Sequence, residues 1–368
     1  MIHRLAATVS PLVFLAVAAS AAPPATPERD DARRAADACR QREDPCSLVH
    51  LDKACTLGDG PSCRAAGNLR WLGVEGVSRD RPGALPSFRA GCALDDAASC
   101  GNLGIAYSVG EGGVDVDRPA AAVWYEKACT LGEGIGCAAL AGLHVEGSIG
   151  KGPDYAAALR HYRRGCDLGA AIACARAGNV LTAGPDGVAA DVEEGARFRA
   201  RACELDDGEA CDLLGLSWAG GKLASGVDHD KARGLFERAC RLGSATGCVN
   251  VAASQLNGEG GARDPEAARA SYLRGCELGQ AFGCLNGAVM AWQGIGGAAD
   301  PQKAETALSR GCELGRADCC GMAAEVVEAK ASGRPEVLQQ ARALAEKGCT
   351  AGDARGCAVK ERLNAAPR

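Results

Sequence analysis

Residues 100–137 read CGNLGIAYSVGEGGVDVDRPAAAVWYEKACTLGEGIGC and contain one full period of the pattern that decides the fold. From Cys100 to Gly110 small and apolar residues recur at helical spacing, and a glycine-rich turn then ends this helix, because such turns need positive φ. Asp117-Arg118-Pro119 predicts the start of a second helix, since proline is tolerated in a first turn. That helix continues through Cys129 and stops near Gly132. The stretch therefore predicts an αα-hairpin followed by a short turn.

Cysteine pairs eight residues apart repeat this hairpin along the chain. Successive pairs begin 36 or 37 residues apart. A period of this length is typical of stacked helical repeats. We therefore predict an all-α fold, an αα-hairpin repeat solenoid with about eight full repeats plus caps over residues 37–362. The pairs are Cys55 with Cys63, Cys92 with Cys100, Cys129 with Cys137, Cys166 with Cys174, Cys203 with Cys211, Cys240 with Cys248, Cys276 with Cys284, Cys312 with Cys320 and Cys349 with Cys357.

Two further positions keep the same register and predict the core. The position four residues before the first cysteine carries Phe88, Tyr125, Tyr162, Phe236, Tyr272 and Leu308. The position two residues after it carries Leu57, Leu94, Leu131, Leu168, Leu205, Leu242, Leu278 and Leu314. We expect both positions to lie on the inner face of one helix and to be buried.

The spacing of each cysteine pair also predicts its disulfide. On one continuous helix, residues eight apart would be separated by about 12 Å, whereas a disulfide needs Cα atoms roughly 4.4–6.8 Å apart. The helix must therefore end between the two cysteines. Glycines such as Gly132 and Gly169 stand three residues after the first cysteine, where a left-handed helix stop is expected. Each disulfide should then join the end of one helix to the start of the next, across the joint between two repeats.

Three cysteines lie outside the nine pairs. Cys39 and Cys46 are seven residues apart and are predicted to pair as an N-terminal cap. Cys319 has no partner in the register, so it is either a free surface thiol, an intermolecular disulfide or a buried inert cysteine. A monomer is expected rather than a disulfide-linked dimer.

The N-terminus and the 21 cysteines predict export. Residues 1–21 contain Arg4, an apolar stretch and the small residues Ala19-Ser20-Ala21, the order of a signal peptide. Many cysteines suit an oxidising compartment, so we expect a periplasmic or extracellular protein. Residues 22–36 are predicted to be a linker or a disordered start of the mature chain, and residues 363–368 a tail.

Composition excludes several functions. The net charge is −5, or −6 after loss of Arg4 with the signal, and there is no run of basic residues. These features argue against nucleic-acid binding. The apolar stretch is shorter than the roughly 20 residues that span a bilayer, so the mature chain should not cross a membrane. There is no C-x-x-C and the five histidines are scattered, so we expect neither a metal nor a cofactor.

The repeat resembles the Sel-one-like repeat, a relative of the tetratricopeptide repeat. The C-x7-C addition resembles the secreted Helicobacter cysteine-rich protein family. The resemblance implies a right-handed αα superhelix with one disulfide per repeat, used for protein–protein interaction; some of these relatives bind β-lactams and hydrolyse them weakly. The residues that carry it are Leu103, Gly104, Tyr107, Gly110, Gly112, Asp117, Ala120, Trp124, Tyr125, Lys127, Ala128, Cys129, Gly132, Gly136 and Cys137.

No set of residues in the sequence assembles a catalytic site. Ser148-Ile149-Gly150-Lys151 matches the Ser-x-x-Lys of serine β-lactamases, but it lies in a glycine-rich turn without the companion motifs. We therefore assign no catalytic residues and lean against an enzyme, with a weak β-lactamase as the alternative. A structural spacer of the cell envelope is a third hypothesis.

The predicted function is an exported scaffold that binds a protein, a peptide or a cell-wall component on a concave surface lined by the first helix of each repeat. Seven or eight residues after the second cysteine the residue type varies between repeats, as expected for a specialised surface. The other interpretation is that these side chains fill space in the interior of the repeats. These candidates are Trp71, Tyr107, His144, Trp218, Gln255 and Trp292.

Overall fold

The computed structural model describes residues 26–41, 46–74, 76–332 and 334–365. These residues form helices joined by turns, and they contain no β-sheet. The chain divides into two compact units, one up to Asp117 and one from Arg118. The architecture in each unit is the predicted repeat of αα-hairpins.

Each helix of a hairpin has a fixed place relative to the cysteines. We name the helix that carries the second cysteine of a pair an A helix and the helix that ends with the first cysteine a B helix. The first unit contains α1 (Pro27–Gln41), α2 (Cys46–Thr56), α3 (Gly60–Leu72), α4 (Arg81–Ala93) and α5 (Ala97–Val109). The second contains α6 (Arg118–Thr130), α7 (Gly134–Glu146), α8 (Tyr155–Asp167), α9 (Ala171–Ala183), α10 (Val192–Glu204), α11 (Gly208–Ala219), α12 (His229–Arg241), α13 (Ala245–Asn257), α14 (Pro265–Glu277), α15 (Ala281–Gln293), α16 (Pro301–Glu313), α17 (Ala317–Lys330), α18 (Pro335–Thr350) and α19 (Ala354–Ala365). The A helices are α3, α5 and every odd-numbered helix that follows.

The two ends of the described chain differ from the sequence prediction. Helix α1 occupies residues 27–41, most of the predicted linker, and it buries Ala32 and Ala36. At the other end α19 continues to Ala365 because Leu363 is buried beside Val359. The helical part is therefore longer than residues 37–362. The predicted signal peptide, the Cys39–Cys46 bond and residues 366–368 fall outside what the structure describes.

Aspartate residues begin most B helices. Asp264 and Asp300 accept hydrogen bonds from the backbone N–H groups of Ala267 and Lys303, each at 2.9 Å. This side-chain cap satisfies a backbone donor that the helix itself leaves unpaired. The Asp-Pro steps thus mark helix starts, as the sequence predicted. Asp80, Asp154, Asp191 and Asp228 cap their helices in the same way.

Each B helix ends at a residue with a left-handed backbone conformation, which lies between the two cysteines of a disulfide pair. Seven glycines occupy this position with φ between 83° and 94°. Asp95 and Asp206 replace glycine in the other two repeats and still adopt φ of 59° and 64°. Aspartate tolerates this region better than most residues, because its short polar side chain bonds locally. The chain therefore turns back at the same point in all nine repeats.

Nine disulfides in the described residues join the B helices to the A helices that follow them. Every bond links cysteines eight residues apart, with Cα–Cα distances of 4.4–4.8 Å. In α6, for example, the first cysteine lies near the helix end, and its partner lies in the first turn of α7. The structure thus places each bond at the joint between repeats. The bonded residues are Cys55 and Cys63, Cys92 and Cys100, Cys129 and Cys137, Cys166 and Cys174, Cys203 and Cys211, Cys240 and Cys248, Cys276 and Cys284, Cys312 and Cys320, and Cys349 and Cys357.

In eight of the nine pairs the second cysteine lies deep in the core, whereas Cys357 of the last pair is partly exposed. Cys174, Cys248 and Cys284 are fully buried, and Cys320 is only 2% exposed. Each of these residues stands in the first turn of its A helix, where the neighbouring B helices cover it. The second cysteines of these eight disulfides are therefore shielded from solvent at the joints between repeats.

The core repeats with the disulfides, although only one of the two predicted positions is buried throughout. Phe88, Tyr125, Tyr162, Phe236, Tyr272 and Leu308 are at most 7% exposed. The predicted burial is wrong for Leu168, Leu205, Leu242 and Leu314, which are 36–42% exposed. These leucines are the C-cap residues of their helices, so they lie at the edge where the chain turns and only one side of each is covered.

Cys319 is a buried free thiol, so the predicted alternative of an inert cysteine describes it best. The pKa of Cys319 is raised to about 12, mainly by burial and in part by the neighbouring Asp318 carboxylate. Only the thiolate reacts quickly with disulfide reagents, so the native thiol should stay protonated and unreactive at pH values well below this pKa.

We expect Ellman's reagent to leave Cys319 unlabelled in the native protein and to label it in denaturant, with glutathione in the same solution as the reactive reference. Peptide mapping identifies the labelled residue. Labelling of native Cys319 at the rate of glutathione would contradict its burial.

Candidate binding surface

The direction of a side chain on an A helix follows from its distance to the second cysteine. Seven residues turn an α-helix by about 700°, so that position points almost the same way as the cysteine, towards the neighbouring B helices. Positions two before, two after and five after the cysteine lie roughly 140–200° away from it. Geometry therefore places these three positions, and not the predicted one, on the outer side of the A helices.

Most of the predicted surface residues accordingly pack against a neighbouring helix. Tyr107 accepts a hydrogen bond from Arg89 at 3.0 Å, and the ring of His144 stacks on that of His161 at 5.4 Å. Gln255 is buried and accepts from Ser271 at 2.9 Å. These contacts lie between adjacent helices and leave little surface for a partner.

The three tryptophans among the predicted residues have different surroundings. Trp71 is half-buried and packs on Phe88 in the first unit. Trp218 is half-buried, with the Lys231 ammonium 4.2 Å from its ring centre. Trp292, which like Trp71 lies eight residues after its second cysteine, is 45% exposed. Of the six predicted residues, Trp292 is the one with its ring open to solvent.

We name the outer side of the A helices in the second unit the A face. It is defined by the positions two before, two after and five after each second cysteine, and its exposed large apolar members are Ile135, Ile172, Leu216 and Phe282. In α7, α9, α15 and α17 these residues are Ile135, Ala139, Gly142, Ile172, Arg176, Asn179, Phe282, Asn286, Val289, Asp318, Met322 and Glu325.

A groove on the A face runs across α15, α17 and α19. It has a volume of about 930 Å³, and Trp292, Val289 and Met322 form part of its apolar lining. Carboxylates lie along it: Glu325 pairs with Arg355 at 3.6 Å, and Asp353 caps α19 at the N–H of Gly356. The groove therefore offers apolar contacts beside an acidic edge.

A second groove lies between α7 and α9. Its volume is about 660 Å³, and its lining includes Ile135, Ala139 and Ile172. Ile135 and Ile172 occupy the same register position in successive repeats, and they are 63% and 49% exposed. The A face thus carries exposed apolar side chains at repeated sites.

One residue escaped the sequence prediction, although the register contained a signal for it. Arg199 stands four residues before Cys203, where five of the other eight repeats have an aromatic residue. It is buried, with 8% of its surface exposed, and it contributes to a small pocket of about 170 Å³ between α9 and α11. An arginine at this buried core position distinguishes the repeat from its neighbours.

The described residues assemble neither a metal site nor the Ser-x-x-Lys arrangement. No group of three metal-binding side chains comes together in this part of the chain. Burial is the main reason that the pKa of His161 is lowered, and the positive charges of His144, Arg160 and Arg164 lower it further. Ser148 lies in the turn after α7, where its hydroxyl donates to the Leu143 carbonyl at 3.3 Å, and so it does not open a helix.

Comparison with solved structures shows the fold. A protective antigen of uropathogenic Escherichia coli with an SLR fold matches 86% of this chain and 67% of its own, at 23% identity and a TM-score of 0.68. A Sel1 repeat protein from Oxalobacter formigenes matches 86% and 90%, at 18% identity and a TM-score of 0.60. Cysteine-rich protein B of Helicobacter pylori matches 35% of this chain and 92% of its own, at 26% identity and a TM-score of 0.30.

Comparison of sequences identifies the repeat itself. No curated protein sequence matches the chain significantly. The family model described as the Sel1 repeat matches residues 97–133, 135–169, 208–244 and 245–280. In each matched stretch the cysteines occupy the register found throughout the chain. The four matched segments are Sel1 repeats, and the nine disulfides continue their cysteine register through the rest of the described chain.

Proposed function

We propose that this protein is an exported scaffold that binds a protein or peptide through the A face. The observation that carries the proposal is the recurrence of exposed apolar side chains at one register position, two residues before the second cysteine. Ile135, Ile172 and Phe282 hold this position and are 49–63% exposed. Exposed apolar side chains in contiguous patches mark interaction sites on soluble proteins.

The groove across α15, α17 and α19 supplies the strongest contact within this surface. Trp292 offers a large ring at its edge, and tryptophan is among the residues that contribute most to binding energy at interfaces. The acidic edge formed by Glu325 and Asp353 favours a partner with Lys or Arg beside its apolar anchor. Sel1 repeats are protein-interaction modules, which agrees with a scaffold.

The disulfides support the exported location. Bonds of this kind persist in oxidising compartments and are rare in a reducing cytosol. Among the described helices, none has the length and apolar character that crossing a bilayer requires. We infer a periplasmic or extracellular site of action, with the predicted signal peptide as the route.

Substitution of two exposed aromatic residues tests the binding surface. We expect Phe282→Ala combined with Trp292→Ala to reduce partner capture from a native envelope extract at least about tenfold, because hot-spot truncations cost about 2 kcal/mol or more. Quantitative mass spectrometry of the captured proteins gives the measurement.

Val123→Ala is the matched control, since Val123 is 64% exposed on the B helix α6 and lies off the A face. Capture by the control should equal that of the wild type. Equal recovery of the same partners by the double variant and the wild type would exclude the A face as the binding surface.

A further inference from the structure

Arg199 occupies a buried site that is built for an aromatic ring. In the neighbouring repeat Phe236 packs over Gly215, where an added Cβ would lie 2.6 Å from the ring. Arg199 lies over Gly178 in the same way, with its Cγ 2.8 Å from the position of an added Cβ. The glycine thus makes room for the side chain in both repeats. Only the repeat that contains α10 uses this room for a charged group.

The guanidinium of Arg199 is incompletely paired inside the protein. Its Nη2 donates to Asn179 Oδ1 at 3.1 Å, whereas its Nε has no acceptor among the described residues. No described carboxylate forms an ion pair with it, and burial lowers the pKa of Arg199. Arg269, which is buried to a similar degree, donates instead to the Ala298 carbonyl at 2.8 Å. A buried cation without a counter-ion is costly unless a ligand supplies the charge.

The pocket beside Arg199 opens on the A face. Arg176 and Asn179 form part of its lining, and Arg176 is exposed without an ion pair among the described residues. Ile172 and Leu213 add apolar surface, while Glu209 and Asp207, the cap of α11, stand on the other side. At about 170 Å³ the pocket has room for one small group and little more.

We propose that this pocket binds an α-carboxylate, either the C-terminus of a peptide or a free amino acid. A guanidinium presents two parallel N–H groups that match the two oxygens of a carboxylate. Arg199 would supply the buried contact to the carboxylate and Arg176 the exposed one. The side chain of the residue that carries this carboxylate would lie against Ile172 and Leu213. The proposal rests on the A face as the binding surface, and it specifies one chemical feature of the ligand.

The Nε–H resonance of Arg199 in a ¹⁵N-labelled protein reports on the pocket directly. We expect N-acetyl-alanyl-alanine with a free C-terminus to shift this resonance in a saturable manner, and its C-terminal amide to leave it unmoved. A shift with free alanine as well would identify an amino acid as the ligand, and a shift with the dipeptide alone would identify a peptide terminus. No shift with either carboxylate, or equal shifts with the acid and the amide, would overturn the inference.

Arg199→Phe tests the same idea in a chain that should fold. Five of the other eight repeats carry Phe or Tyr at this position, so we expect the variant to melt no lower than the wild type and to lose carboxylate binding. Arg176→Ala, on the surface, should weaken binding several-fold, and Arg197→Ala on the outer side of α10 should leave it unchanged.

The two proposals fail in different ways. If partner capture depends on Trp292 and is unaffected by Arg199→Phe, the proposed scaffold function stands. If Arg199→Phe binds carboxylates as the wild type does, only the proposed carboxylate pocket is overturned.

Discussion

Reduction of the disulfides should unfold this protein at room temperature. Each bond closes a loop of about nine residues, which stabilises the folded state by about 2.5 kcal/mol in the chain-entropy description. Domains are stable by only about 5–15 kcal/mol in total, so the loss of nine such bonds exceeds the margin. The far-ultraviolet circular dichroism of the reduced, alkylated chain should therefore lose most of its helical signal.

Two double variants serve as graded controls for this prediction. Cys203→Ser with Cys211→Ser removes a bond inside the second unit, and Cys349→Ser with Cys357→Ser removes the last one. Since repeats are stabilised through their neighbours, the internal bond should lower the melting temperature more than the terminal bond. A reduced chain that keeps its helicity and melts at the temperature of the oxidised chain would contradict a stabilising role for the bonds.

Phe236→Ala should cause the largest loss of folding stability among the single substitutions proposed for this protein. Phe236 is 3% exposed and packs with Ala232, Val251 and Trp218 between α11, α12 and α13. Truncation of a buried phenylalanine costs about 3–5 kcal/mol, because the side chain leaves a cavity and loses its apolar burial. The measurement is the shift of the guanidinium chloride midpoint, followed by circular dichroism.

Phe282→Ala is the matched control, since it removes the same ring from an exposed site. Phe282 is 50% exposed, and the Arg316 guanidinium lies 4.2 Å from its ring centre. An exposed cation–π contact contributes about 0.5–1 kcal/mol, so the control should shift the midpoint little. Equal losses in both variants would show that Phe236 is not the core residue that its burial indicates.

Features that local geometry determines could be predicted correctly from the sequence. Two cysteines eight residues apart can bond only if a helix ends between them, so Cys129, Gly132 and Cys137 together predict a joint. The burial of Tyr162 and Phe236 was predictable for a similar reason, because one register position recurs in every repeat. The half-exposed leucines show the limit of this reasoning: a repeated apolar residue at a C-cap need not be in the core.

The binding surface was harder to predict, because variation between repeats does not show which way a side chain points. His144 and Gln255 vary, yet their position follows the cysteine by almost two full turns and so faces a neighbouring helix. Ile135 and Phe282 lie on the opposite side and are absent from the predicted set. Arg199 was detectable as a break in the aromatic register, but its burial and unpaired Nε could be recognised only from the packing of α9 against α10.

Peptide mapping of the oxidised chain without reduction tests the repeat-joint disulfides most directly. Proteolysis between the cysteine pairs, followed by mass spectrometry, identifies which cysteines remain linked. We predict nine links between cysteines eight residues apart, from Cys55–Cys63 to Cys349–Cys357, with Cys319 as a free thiol. Bonds between cysteines of different pairs would contradict the stacking of repeats on which the A face depends.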